Sequence, residues 1–373
     1  MPIKLVTIND LDSTQREVVE MQPFNRSIFV SGPPGSGKTS VAILRTRMLL
    51  DNGVSNVLFL LYNHSLYGYL RKIFAKMNIR QNVKIETKDI FFWNLNRALG
   101  FRSPDGFDYE DRYAQILQNI SEANEDDLPK YTLLVLDESQ DFSRMELLLL
   151  RKMSEKMVVL ADFDQQLYGK TVDASCFFDL PHRELKTIYR FGKEIAHIAQ
   201  RFSASKTDLA RKVTKTGNTP AYKVVTTSSK ELDVVCQIIK NKTIADGTMA
   251  ILAPTRAQLQ DLSRKLSARH IDHYYAENNN KGLRDYDYDS KRPLLICAHS
   301  AKGMEFDTVV LYRYNEYGMY GSQDERDKLI YMSLTRTCGE LYVIQTENLC
   351  RSLKNRPGFR DMDEQNDSDI NDF

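Results

Sequence analysis

Short apolar runs rich in β-branched residues alternate along this chain with longer stretches whose apolar positions recur at helical spacing. Residues 27–31 (SIFVS) lead into a helical pattern from Lys38 to Leu50, and residues 56–62 (NVLFLLY) lead into another. Residues 132–138 (TLLVLDE), 157–162 (MVVLAD) and 183–189 (RELKTIY) follow. Uninterrupted apolar runs of this length suit strands covered on both faces, so the pattern predicts a parallel sheet with crossover helices. From about Ala174 the alternation begins afresh, at 222–227, 248–254, 293–300, 308–314 and 340–345. The prediction is an α/β protein of two lobes, residues 1–173 and 174–358, with 88–132 as a short insertion in the first. Residues 275–293 are polar and turn-rich and are read as a surface loop.

Composition changes this picture little. Apolar residues make up 42% and charged residues 27%, ordinary for a globular protein. No apolar run approaches the ~20 residues that span a bilayer. The N-terminal MPIKLVTINDLDS carries no apolar secretory core. The five cysteines, Cys176, Cys236, Cys297, Cys338 and Cys350, form no CxxC pair. They are read as scattered thiols in a reducing compartment, with no disulfide framework and no cysteine metal site. A cytoplasmic location, away from membranes, is the expectation. Residues 359–373 form an acidic tail, expected to be disordered. Asp361–Phe373 holds six acidic and no basic residues, so the net charge of +1 becomes +7 without it. A mild basic excess is compatible with an anionic partner and diagnostic of none.

The chemistry concentrates first in Gly32-Pro33-Pro34-Gly35-Ser36-Gly37-Lys38-Thr39-Ser40, which follows a strand and opens a helix. Glycines let successive backbone N–H groups converge on phosphates, helped by the helix N-terminus. In such a loop Lys38 reaches the β and γ phosphates and Thr39 places a hydroxyl on Mg²⁺. ATP with Mg²⁺ is the predicted ligand. Downstream, Asp137 ends an apolar run, placed to hold the metal, and Glu138 follows it, placed to orient or deprotonate the attacking water. Two acids in these roles favour hydrolysis over phosphoryl transfer to a bound metabolite.

The order of motifs resembles superfamily 1 helicases of the Rep/UvrD type over roughly residues 10–346. LDSTQREVV (11–19) resembles the Q motif, SGPPGSGKTS motif I, LLYNHSLYGYL (60–70) motif Ia, LDESQDF (136–142) motif II and ADFDQQLYG (161–169) motif III. LKTIYR (185–190), AHSAKGMEFDTVVL (298–311) and LIYMSLTRT (329–337) resemble motifs IV, V and VI. The resemblance implies two RecA-like P-loop NTPase lobes and ATP-driven movement along a single strand, with 3′ to 5′ polarity and DNA more than RNA as partner. It implies that Gln15 reads the adenine edge, Gln165 senses phosphate, Tyr189 stacks on the adenine and Glu305 touches the ribose. It assigns Arg190 and Arg336 to the γ-phosphate from the second lobe, where developing negative charge needs cations. Tyr62, Asn63, His64, Lys170, His299 and Lys302 are the implied strand contacts.

The pattern also departs from that family. Strong unwinding enzymes of this kind carry large insertions in each lobe; here the first is reduced to Lys88–Thr132 and the second is absent or vestigial. Phe91, Phe92 and Trp93 in the first could serve as wedge or core aromatics, and their spacing beside Leu95 favours core. Lys170 stands where motif III usually continues into a base-stacking aromatic, and Ser40 replaces the arginine often seen after the P-loop threonine, here Thr39. The leading expectation is a nucleic-acid-stimulated ATPase with translocase or helicase activity. The alternative is a regulatory ATPase that senses nucleic acid and controls a protein partner such as a nuclease. A small-molecule kinase is disfavoured by Asp137–Glu138, Gln140 and the two second-lobe arginines.

Overall fold

The structure is a computed structural model. It describes residues 6–362 except 24–25, 63, 103, 106–107, 155, 167–171, 205–206, 244–246, 277–282, 284–285, 289, 319–321 and 347–359. The chain divides into two compact units. One comprises Leu5–Pro33 and Gly37–Leu185; the other comprises Met1–Lys4, Pro34–Ser36 and Lys186–Phe373.

The first unit is built on six parallel strands: β1 (Ile28–Ser31), β2 (Val57–Leu61), β3 (Val83–Thr87), β4 (Leu133–Asp137), β5 (Met157–Ala161) and β6 (His182–Glu184), in the order β3-β2-β4-β5-β1-β6. Every residue of β2, β4 and β5 is buried, which is why these strands are continuous apolar runs. Around them lie α1 (Ser13–Glu20), α2 (Lys38–Asp51), α3 (Ser65–Lys76), α4 (Lys88–Ala98), α5 (Tyr109–Glu122) and α6 (Arg144–Met153). Register is what positions the functional groups. Ser31 pairs with Ala161 and Leu61 with Asp137, so these strands end nearly level and their following loops leave the same edge of the sheet.

The second unit repeats the plan with seven parallel strands: β7 (Ala221–Val225), β8 (Met249–Ala253), β9 (Tyr274–Tyr275), β10 (Leu294–Cys297), β11 (Phe306–Leu311), β12 (Thr337–Thr346) and β13 (Arg360–Asp361). They run in the order β13-β7-β12-β11-β8-β10-β9. Helices α7 (Lys193–Ala199), α8 (Leu209–Lys212), α9 (Ser228–Thr243), α10 (Arg256–Ala268) and α11 (Gln323–Leu334) accompany them. The two-lobed α/β class expected from the apolar pattern, with the RecA-like plan that the resemblance implies, is what the structure has.

Three details differ from the expectation. Residues 183–189 do not open the second lobe as a full strand. Only His182–Glu184 is extended, and it pairs with β1 of the first unit. The His182 ring stacks on Phe29 at 4.7 Å, and its Nε2 lies 2.7 Å from Ser31 Oγ, which holds that edge in place. Second, β3 has a mixed pattern, VKIET, because it is an edge strand with Lys84 exposed. Third, the tail is not irregular from its start, since Arg360–Asp361 pairs with β7; residues 363–373 lie outside the described ones.

The insertion packs as core. Phe91 and Phe92 are buried and Trp93 is half-buried against the same cluster, so neither phenylalanine is a wedge here. A polar knot ties the insertion to α6. Lys88 Nζ bonds Glu146 Oε1 and Asp89 Oδ1, each at 2.8 Å, and Tyr113 Oη donates to Glu146 Oε1 at 2.6 Å. Glu146 also closes the capping box of α6 with Ser143. Removing Glu146 leaves Lys88 with Asp89 alone and takes the acceptor from Tyr113 Oη, so Glu146→Ala is expected to lower unfolding free energy by about 1–3 kcal/mol. Chemical denaturation would measure it; a loss under about 1 kcal/mol would mean the knot is incidental.

Candidate functional site

The loop between β1 and α2 is shaped for close approach of an anion. Gly35 and Gly37 adopt φ of 76° and 87°, where a side chain is strained. At Gly37 a Cβ would also come within 2.6 Å of Gln15 Nε2, so α1 itself enforces glycine there. Gln15 is buried and fixed by a capping box: its N–H donates to Asp12 Oδ1 at 2.7 Å, and its Oε1 accepts from Asp12 N at 3.1 Å. This packing brings the predicted base-reading residue to the phosphate loop.

Lys38 begins α2 with its ammonium folded over the loop, donating to Gly32 O at 2.7 Å and Pro33 O at 3.1 Å, and standing 3.6 Å from Asp162 Oδ2. Thr39 Oγ1 donates to Asp137 Oδ2 at 2.9 Å. Asp137 is only 1% exposed. Burial, with the neighbouring Glu138 charge, pushes its carboxyl up to about 7, against the opposing pull of Thr39 and Lys38. A hydroxyl and a carboxylate converging in this way form a hard-oxygen pair of the kind that holds Mg²⁺ while substrate phosphates and water complete the shell. Among the described residues no cluster of three or more His, Cys, Asp or Glu could hold a metal by itself.

Glu138 occupies the left-handed region, φ 55° and ψ 43°, unusual for a side chain of its size. The turn is locked by Ser139 Oγ donating to Leu160 O at 2.9 Å, and by Gln140 Nε2 donating to Glu138 Oε2 at 2.5 Å. Gln140 Oε1 accepts from Asp162 N at 3.0 Å, and Gln165 Nε2 donates to Asp162 Oδ2 at 2.7 Å. Glu138, Gln140, Asp162, Gln165 and Lys38 thus form one connected network. Asp162 is the member that sequence reasoning missed. It lies in the quoted ADFDQ stretch, and its signal was the same as that of Asp137: an acid immediately after a buried strand. Burial raises its carboxyl above the ordinary range, opposed by Lys38.

The other expected residues fall as follows. Tyr62 is half-buried, with Lys88 Nζ 5.2 Å from its ring centroid, and His64 precedes α3. Asn63 and Lys170 lie outside the described residues. In the second unit Tyr189 is exposed, and Arg190 Nη1 donates to Thr335 O at 3.1 Å while its Nη2 pairs with Glu305. This brings two residues assigned to the nucleotide into contact with each other. Arg336 is buried inside its own unit. It donates from Nε to Met332 O at 2.9 Å, from Nη1 to Met304 O at 3.4 Å and from Nη2 to Thr335 Oγ1 at 3.2 Å. His299 is exposed as a strand contact requires, but Lys302 is 1% exposed, so its ammonium is not offered to solvent.

Comparison with known proteins gives residues 15–171 a match to the family described as an AAA domain. The comparison with curated proteins found no match. Among solved structures, similar ones include the C-terminal domain of a possible DNA helicase from Lactobacillus plantarum WCFS1. It is 21% identical, at TM-score 0.37, over 46% of this chain and 98% of that one. The helicase of the virus PRRSV is 17% identical at TM-score 0.41, over 88% of this chain and 54% of its own. Arterivirus nonstructural protein 10, a helicase, is 12% identical at TM-score 0.41, over 92% and 63%. This chain thus spans little more than half the length of the two viral proteins. Among the described residues no helix is long and apolar enough to cross a membrane.

The network predicts the behaviour of Glu138→Gln. ATP binding should survive, because Lys38, Thr39 and Asp137 are untouched, while turnover should fall by about 10²–10⁴-fold. Steady-state hydrolysis beside equilibrium nucleotide binding measures both. A near wild-type rate would show that another group handles the attacking water.

Proposed function

We propose that this protein is an ATP hydrolase whose cycle moves or senses single-stranded nucleic acid, DNA more than RNA, with 3′ to 5′ polarity. The observation that carries the hydrolase part is the single network joining Lys38, Asp137–Glu138 and Asp162–Gln165 at the level ends of adjacent strands. Lys38 cradles the β and γ phosphates, Thr39 and Asp137 hold Mg²⁺, and Glu138 orients the attacking water while Gln140 fixes its carboxylate. Mg²⁺ supplies charge neutralisation on the phosphate oxygens. Two adjacent acids, one to hold the metal and one to orient water, favour hydrolysis over transfer to a metabolite.

The second unit supplies Arg190 as the cation for the γ-phosphate, with Tyr189 for the base and Glu305 for the ribose. A guanidinium in this role contributes about 10³–10⁵ in rate in comparable phosphoryl transfers. Arg190→Ala is therefore expected to slow hydrolysis strongly while the unit stays folded, because its side chain bonds Thr335 O and an exposed carboxylate, Glu305. Unchanged turnover in a folded variant would remove Arg190 from the site. Arg336→Ala, by contrast, takes the Nη1 donor from buried Met304 O, while Met332 O keeps Thr335 Oγ1, and should lower the melting temperature as well as the rate.

Within this reading the short insertion favours a motor or sensor that depends on a partner, such as a nuclease, over a strong unwinding enzyme acting alone in the cytoplasm. Melting DNA costs about 1.4 kcal/mol per base-pair step and needs a surface that separates the strands. Phe91 and Phe92 of the insertion are committed to the core. Single-stranded DNA should stimulate hydrolysis, steeply less at higher salt, with weaker stimulation by RNA and duplex. Strand displacement on a tailed duplex by the isolated chain should be slow. No response to any nucleic acid would defeat the nucleic-acid reading and leave the hydrolase. Fast, processive unwinding by the monomer would defeat the partner-dependent form.

A further inference from the structure

We propose that Arg45 is a positioning residue for selection of the nucleotide base: it clamps the end of α1 to α2 and so holds Gln15 against Gly37 of the phosphate loop. The inference rests on the reading of that loop as an ATP site and concerns a residue far from the phosphates.

Arg45 lies on α2, the helix that Lys38 opens, and is fully buried. Its Nη1 donates to Val18 O at 2.8 Å, Val19 O at 3.2 Å and Met21 O at 3.3 Å, and its Nη2 donates to Arg26 O at 3.3 Å. Val18 and Val19 lie in the last turn of α1, whose carbonyls have no intrahelical donor. A cation there also complements the negative end of the helix dipole. α1 has only eight residues. A helix that short has no stable orientation of its own and takes the one its docking imposes.

Burying a guanidinium is costly; desolvation pushes its pKa down to about 10. An apolar side chain could pack two helices together without that penalty. What it could not do is fix rotation and translation of α1 through four directed bonds. At the other end of the same helix, the capping box turns the Gln15 amide so that Nε2 faces Gly37. A carboxamide offers one donor and one acceptor, matching the acceptor and donor that adenine shows at N7 and N6, whereas guanine shows two acceptors there. Discrimination of that kind depends on where the amide stands, and Arg45 sets it through α1.

The test is KM and kcat for ATP and for GTP in wild type, Arg45→Lys, Gln15→Ala and the double variant. Lysine keeps the charge but cannot span four carbonyls. Arg45→Lys is expected to raise KM for ATP about tenfold and leave kcat within about twofold and KM for GTP unmoved. The double variant should discriminate no worse than Gln15→Ala alone, since both act on one contact. Equal losses for ATP and GTP, a fall in kcat alone, or additive effects would overturn the proposal. Should Arg45→Lys fail to fold, hydrogen exchange on the wild type decides: Mg-ADP should slow the α1 amides and Mg-pyrophosphate should not. Unchanged α1 exchange with ADP would overturn it. A wild type that hydrolyses ATP and GTP equally refutes base selection alone, whereas one that hydrolyses neither refutes the ATP-site reading.

Discussion

Three carboxylates, Asp137, Glu138 and Asp162, face one ammonium, Lys38, at the edge of a buried sheet, and this imbalance of charge organises the first unit. Two of the acids are nearly sealed from solvent. Each would rather be neutral there, as the raised carboxyls of Asp137 and Asp162 show. The protein eases the strain with neutral donors: Thr39 to Asp137, Gln165 to Asp162 and Gln140 to Glu138. Hydrogen bonds position these acids but do not cancel their charge. A divalent cation arriving with a polyphosphate does both, supplying positive charge to Asp137 and a counter-anion to Lys38.

Such a cluster can exist only where the backbone brings distant acids together without burying loops. A parallel sheet does this, because its strands end on the same edge and their loops all start there. With Ser31 paired to Ala161, and Val159 paired to both Phe29 and Leu136, β1, β5 and β4 deliver Gly32, Asp162 and Glu138 to one place. The unusual backbone at Glu138 belongs to the same logic. A left-handed residue immediately after a strand turns the chain sharply. Its cost of roughly 1–3 kcal/mol is carried by the bonds of Ser139 and Gln140 around it.

What was legible in the sequence follows from this arrangement. Central strands are covered on both faces, so β2, β4, β5, β8 and β10 were plain as apolar runs. The edge strand β3 alternates buried and exposed positions and was missed; β9 and β13 are two residues long and carry no pattern. The phosphate loop was legible because its whole mechanism is local. Asp162 was legible in principle, by the rule already applied to Asp137. Lys88, Arg45 and Lys302 were not, since a cation becomes buried only through groups far away in the chain. Arg45 reaches carbonyls of α1 and the turn after it, and Lys88 reaches Glu146.

The two second-unit arginines show why the type of residue does not by itself decide its role. Arg336 bonds Met332 O, Met304 O and Thr335 Oγ1 in a fully enclosed setting, and its departure would take the Nη1 donor from Met304 O. Moving that guanidinium towards an anion would cost a buried acceptor its donor, worth about 1–3 kcal/mol. Arg190 is held differently. Its ionic partner Glu305 is 53% exposed. The Arg190 side chain is itself 10% exposed, so only the carboxylate side of the pair faces water. When it opens, water rehydrates the released carboxylate. Exchange of Glu305 for another anion therefore costs Arg190 less than departure would cost Arg336, and a group proposed to engage and release an anion needs such a replaceable partner.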